Sequence, residues 1–266
     1  MNLFIEGIQG MGKSTLLQKM AVRNPEFHVY REGDYCEVEL AWCTYMTENE
    51  YNQAINKYPM LETEIRQGTV IEDDHYIVCY TRIITDEPGF HKYMEQYEIY
   101  NGRKSFKEFK QIIFKRYNNL SASGKNAIYE CALFQNIIEE LILYQQLSDD
   151  EICMFYRELF ELIKDKEFRL IYLYGDKVEE NISHIRSERS DNNGNQMWYQ
   201  LMMSFLRESP YGKAHGWQGF EDMVGHFKHR QALELRIIKE IFDDRVIILA
   251  AKEYTDADLE SICNSL

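Results

Sequence analysis

The chain has 266 residues, 45% of them hydrophobic and 28% charged, and carries a formal net charge of −14. That composition is ordinary for a globular protein and long enough for one elaborated domain. The acidic balance works against the basic surface that DNA or RNA binding requires, so a nucleic-acid polymer is disfavoured as a partner.

In chain order, the apolar run Leu3-Phe4-Ile5 reads as a first strand, and Gly7-Ile8-Gln9-Gly10-Met11-Gly12-Lys13-Ser14 follows it at once. This is a complete GxxxxGKS/T phosphate loop. Backbone N–H groups of a glycine-rich turn and a helix N-terminus converge on phosphate, Lys13 adds a cation, and Ser14 offers a hydroxyl to Mg²⁺. Thr15 to Val22 continues with good helix formers and apolar positions at 16, 17, 20 and 21, which predicts a helix over 13–23. The segment 7–15 (Gly7, Gly10, Met11, Gly12, Lys13, Ser14, Thr15) is therefore the expected nucleotide-phosphate site.

A second strand, Phe27 to Tyr30, ends in Arg31-Glu32-Gly33-Asp34. Ligands of parallel sheets gather at the carboxyl ends of strands, so Glu32 or Asp34 is placed to accept a proton from an attacking hydroxyl. The stretch from 35 to 121 far exceeds a normal crossover and is expected to be an insertion with structure of its own. It holds Trp42 and ten of the 19 tyrosines, most of them expected in a satellite core, a few able to stack on a flat ligand. Thr69 to Ile83 reads as a hairpin, and Ser105 caps a predicted helix running to Leu120. Seven basic residues against one acid between 103 and 125 read as a solvated face, with local attraction for phosphate as the alternative.

A third strand, Asn126 to Tyr129, ends in Glu130, from which a carboxylate can hold Mg²⁺ or its water. Leu170 to Tyr174 and Arg245 to Ala250 complete five strands. Helices are predicted at 132–147, 150–164, 177–188, 196–208, 222–242 and 256–265. The alternation predicts an α/β architecture: a three-layer P-loop NTPase fold with a five-stranded parallel sheet flanked by helices, and a large insertion after strand 2. His226 and His229 have no third ligand nearby and read as ordinary surface or capping residues. No run approaches the ~18 apolar residues of a membrane span, and Met1 leads straight into a strand, so the chain is expected to be neither inserted nor secreted. The six cysteines contain no CxxC pair and are expected as reduced, buried thiols in a cytoplasmic protein.

The chain lacks the NKxD tetrapeptide that selects guanine, which argues against a switch GTPase. It resembles the P-loop nucleoside and nucleotide kinases, specifically the group containing thymidylate kinase and the deoxynucleoside kinases. Ile5-Glu6-Gly7, Tyr30-Arg31-Glu32, Tyr129-Glu130-Cys131 with Gln135 following, Ile171 to Leu173, and Ile185-Arg186-Ser187-Glu188-Arg189 before the turn Asp191 to Asn195 carry the likeness. The departures are Cys131 where the group usually has Arg, Gly33 where proline is common, and the long insertion.

The resemblance implies an ATP- and Mg²⁺-dependent phosphotransferase acting on a nucleoside or nucleoside monophosphate. Lys13, Glu32 (the base), Arg186 and Arg189 (a lid) are then catalytic. Ser14 and Glu130 hold the metal, Trp42 and Gln135 face the acceptor, and 1–266 is a single kinase-like domain whose 35–121 insertion binds substrate or forms a lid. An exposed helix face leaves room for a homodimer. A kinase of another hydroxylated metabolite or antibiotic, or a non-catalytic nucleotide-dependent switch, stand as alternatives.

Overall fold

The computed structural model describes residues 1–120, 124–191 and 193–265. Ser121, the last residue of the predicted insertion, and Asn192, inside the predicted 191–195 turn, lie outside them. The chain divides into two compact units, Met1–Val29 with Ser121–Leu266, and Tyr30–Leu120.

The first unit is built on β1 (Asn2–Glu6), β2 (His28–Tyr30), β5 (Ala127–Glu130), β6 (Phe168–Tyr174) and β7 (Val246–Ala250), in the order β2-β5-β1-β6-β7. β1 pairs in parallel with β5 and β6, and β6 with β7. Every residue of β1 and β5 is buried, as in a parallel sheet covered on both faces. Helix α1 (Lys13–Arg23) packs on β1 and β5 and touches α12 (Asp256–Ser265), while α11 (Phe220–Ile237) packs on α7 (Asp149–Ile163), α8 (Val178–Glu188) and α9 (Met197–Glu208). The fold is therefore α/β, a five-stranded parallel sheet flanked by helices. The chain leaves β1 toward one side of the sheet and later returns to its other side, which makes the carboxyl end of β1 a topological switch point.

Two long predicted helices differ in detail. The segment expected at 132–147 becomes α6 (Gln135–Glu139) followed by a wide π turn, Glu140–Tyr144, and the segment 222–242 ends in a second π turn, Ile238–Phe242. The late start of α6 has a cause. Cys131 takes a left-handed conformation (φ 60°), the Leu133 N–H donates to the Glu6 side chain, and the Gln135 N–H, at the first position of α6, does the same.

The second unit contains α2 (Glu48–Lys57), α3 (Glu62–Gln67), the antiparallel hairpin β3 (Thr69–Glu72) and β4 (His75–Val78), α4 (Phe90–Glu95) and α5 (Phe106–Asn118). Helix α10 (Pro210–Ala214) of the first unit completes the set. Thr47 with Glu50, and Ser105 with Glu108, form capping boxes that start α2 and α5. Tyr51, Tyr58 and Tyr80 join Met46, Ile65, Phe90 and Met94 in a separate apolar core. Three cations of the basic run form ion pairs: Arg103 bonds Glu95 and Glu98, Lys115 bonds Asp73, and buried Arg116 holds Glu72 and the Cys36 carbonyl. Lys115 and Arg116 tie α5 to its surroundings within the unit. Among the described residues no helix is long and apolar enough to cross a membrane, and none of the six cysteines is bridged.

Candidate phosphoryl-transfer site

The loop after β1 has the backbone that only glycine supplies cheaply. Gly7 sits at φ 141°, and a Cβ there would lie 2.6 Å from the Leu173 carbonyl oxygen, so the loop can hug β6 only without a side chain. Gly10, at φ 83°, lies under Ile185 of α8; a Cβ would meet its Cδ1 at 1.9 Å. Gly12, left-handed at φ 89°, opens α1. The first-turn N–H groups of that helix are the donors a phosphate uses. Met11 is buried, its sulfur accepting from Asn181 Nδ2 at 3.8 Å.

The buried Lys13 Nζ donates to the Gly7 and Ile8 carbonyls at 2.8 and 3.1 Å, so the cation is held across the mouth of its own loop. Ser14 and Thr15 follow, both exposed. Ser14 Oγ donates to Glu130 Oε1. The sheet explains this meeting of residues 116 apart in sequence: Ile5 is in register with Glu130, so the end of β5 stands beside the start of the loop. A hydroxyl and a carboxylate side by side are hard oxygen donors. They suit Mg²⁺, which takes one or two protein oxygens and completes its shell with water and phosphate. No cluster of three or more acidic, His or Cys ligands occurs among the described residues.

Sequence reasoning gave no role to Glu6. It is fully buried at the end of β1, and its two oxygens accept from Leu133 N at 2.6 Å and Gln135 N at 3.3 Å. Burial pushes its carboxyl up to about 8 and nearby Glu234 adds to the rise, against the lowering effect of the Leu133 and Phe134 N–H groups and of Lys13. A largely neutral Glu6 thus fastens the segment after Glu130 to the strand before the phosphate loop. The signal was there to read: an acid closing an otherwise apolar central strand. Gln135, buried, is placed by this joint at the first position of α6.

A second buried network lies behind it. Arg230 of α11 is wholly buried, bonding Glu139 Oε1 of α6 through Nη1 at 2.5 Å and Glu234 Oε1 through Nε at 2.8 Å. The Tyr172 hydroxyl of β6 donates to Glu234 at 2.6 Å. His226 is not the surface or capping residue that the sequence led us to expect but is buried against Glu139 at 2.7 Å, while His229 meets Asp149 at 2.8 Å. Burial raises the Glu139 carboxyl, yet His226 and Arg230 together outweigh it and bring the group down to about 2.

Arg186 follows Ile185, the residue that covers Gly10. Its guanidinium lies 4.3 Å from the Tyr199 ring centre and its Nε donates to Gln196, while Arg189 lies 5.6 Å from the Trp198 ring. The arginines rest on α9 and the residue before it, not on Glu188, whose partner is His184. Asp191 organises the turn after them by accepting from Asn193 and Asn195 N–H, both at 2.8 Å.

In the other unit, Glu32, Trp42 and Arg82 gather about Gly33. A Cβ on Gly33 (φ 87°) would lie 3.4 Å from Thr81 Oγ1 and 3.8 Å from Trp42 Cβ. Arg82 Nη2 donates to the Glu32 carbonyl oxygen at 3.4 Å and pairs with Asp34 Oδ1 at 2.6 Å. The second Asp34 oxygen accepts from Arg31 N at 2.8 Å. Both Asp34 oxygens therefore hold the turn together. Trp42 is 46% exposed in a left-handed conformation (φ 61°), a costly arrangement for a bulky residue and one that concentrates at ligand sites.

No protein-family model and no curated protein matches the chain. Among solved structures it is similar to deoxyadenosine kinase from M. mycoides with bound dATP (TM-score 0.43, 11% identity, covering 100% of this chain and 98% of that one). A second structure of deoxyadenosine kinase from M. mycoides, with the products dCMP and a flexible dCDP, matches with a TM-score of 0.41 and 12% identity over the same shares.

Proposed function

We propose that the protein transfers the γ-phosphoryl group of ATP to a hydroxyl of a nucleoside or nucleoside monophosphate. The observation that carries this reading is the complete phosphate loop at the switch point of the sheet, with the Ser14 hydroxyl against Glu130. Phosphoryl transfer asks for positioning and charge neutralisation more than for covalent help. The loop N–H groups and Lys13 hold the β- and γ-phosphates, and Ser14 and Glu130 hold Mg²⁺, which supplies positive charge to the phosphate oxygens when bound. Arg186 and Arg189 close on the phosphates as a lid and exclude water that would otherwise hydrolyse ATP.

Glu32 takes the proton of the attacking hydroxyl. Both Asp34 oxygens hold their own turn together, through Arg82 and the Arg31 N–H. Trp42 offers an aromatic face to the acceptor and Gln135 a polar contact. The test is product formation from ATP, Mg²⁺ and a panel of nucleosides and their monophosphates. Wild type is expected to phosphorylate at least one member, and Glu32→Gln to bind ATP normally while losing on the order of 10²–10⁴ in rate. An unchanged rate in Glu32→Gln removes the base assignment; no product from any acceptor removes the kinase reading.

A further inference from the structure

Six cysteines are present, and two of them meet: Cys43 Sγ lies 3.5 Å from Cys79 Sγ within the Tyr30–Leu120 unit. The backbone explains the approach. Met46 and Tyr76 exchange both N–H···O bonds (3.1 and 2.8 Å), an antiparallel bridge. Two residues outward, Thr44 N donates to Val78 O at 3.0 Å and Val78 N to Thr44 Oγ1 at 2.9 Å. Continuing this register, Cys43 faces Cys79 as the next pair.

Neither cysteine bonds the other through its backbone; Cys43 N donates to Leu40 O and Cys79 N to Gly68 O. Theirs is thus a non-hydrogen-bonded cross-strand position, where Cα atoms stand ~4.5 Å apart and side chains lie closest. That spacing falls inside the range a disulfide accepts. We propose that Cys43 and Cys79 are a redox-responsive pair that closes to a disulfide under a small-molecule disulfide such as oxidised glutathione and reopens under thiol reductant.

The chemistry balances in two exchanges. Cys79, the half-buried member, attacks one glutathione sulfur as thiolate, forming a mixed disulfide and releasing one glutathione thiolate. Cys43 gives up its proton to solvent and attacks Cys79 Sγ, releasing the second glutathione thiolate. Two protein thiols are oxidised and one glutathione disulfide is reduced to two thiols. The polarity of the pair agrees with this order: the hydrogen bond from Cys43 holds the Cys79 thiol below its usual range, while the same bond together with burial raises Cys43. Cys36 is a poor competitor, since burial pushes its thiol up to about 12. Cys43 Sγ also donates to the Gly33 carbonyl at 3.9 Å, a contact that the disulfide would remove because it leaves no S–H, so closure would release the turn that follows Glu32.

The test uses the full-length folded protein, exposed to oxidised glutathione, alkylated, and mapped by mass spectrometry without reduction. The expected result is loss of two alkylatable thiols, a linked Cys43–Cys79 peptide, and full reversal by dithiothreitol. Cys43→Ser should instead retain glutathione on Cys79, and Cys79→Ser should leave its remaining thiols alkylatable. Full alkylation of all six thiols in the treated wild type, or linkage of any other pair in the folded state, would overturn the proposal. These readouts need no phosphoryl transfer, so their outcome is separate from that of the kinase assay.

Discussion

Lys13 shows how a single side chain can link loop geometry to chemistry. Its ammonium is buried and held by two carbonyls of the loop, Gly7 and Ile8. Lys13→Ala should cut turnover on the order of 10²–10³-fold, the usual cost of removing one fixed electrostatic partner, with weaker ATP binding by calorimetry; normal turnover would remove Lys13 from the reaction. Glu6 makes a different prediction, about pH. Its folded carboxyl titrates near 8 against an ordinary value of 4.5, so the native state binds the extra proton between those limits. This group's contribution to stability therefore falls as pH rises from about 4.5 to about 8 and is level outside that window. Glu6→Gln should flatten that part of the stability–pH curve in denaturant melts, and an unaltered slope would show that Glu6 ionises normally.

At the scale of elements, buried charge ties α6, α11 and β6 together behind the loop. Arg230 stands between Glu139 and Glu234, and its removal leaves buried Glu234 without its cation and Glu139 with His226 alone. Arg230→Ala should destabilise the fold by about 3–5 kcal/mol in chemical denaturation, far more than breaking an exposed pair such as Arg66 with Glu62. Elements with strong local signals were legible in the sequence: the five strands, α1, α5 and α7 follow from periodicity and capping residues. The interruption of the 132–147 segment was not, because it is set by Glu6, which lies 127 residues from Leu133. His226 likewise could not be read as buried until α11 was laid on α6.

For the whole chain, the acidic balance disfavours a polymer phosphate partner, and the phosphate-loop pattern at 7–14 was legible without help from the rest of the fold. The partner carboxylate Glu130 was legible as a strand end, since parallel strands deliver their final residues to one edge. The pairing of the basic run was not, because Arg116 with Glu72 and Lys115 with Asp73 are contacts formed only on folding. The acceptor stays unreadable from sequence for the same reason: selection depends on which side chains of the inserted unit converge. The most direct measurement is ³¹P NMR of ATP incubated with the protein, Mg²⁺ and a mixture of nucleosides and nucleoside monophosphates. The γ-phosphorus should disappear from the triphosphate and reappear as a phosphate ester or a new diphosphate on the acceptor; a γ-phosphorus that stays in ATP, or emerges only as inorganic phosphate, would contradict transfer.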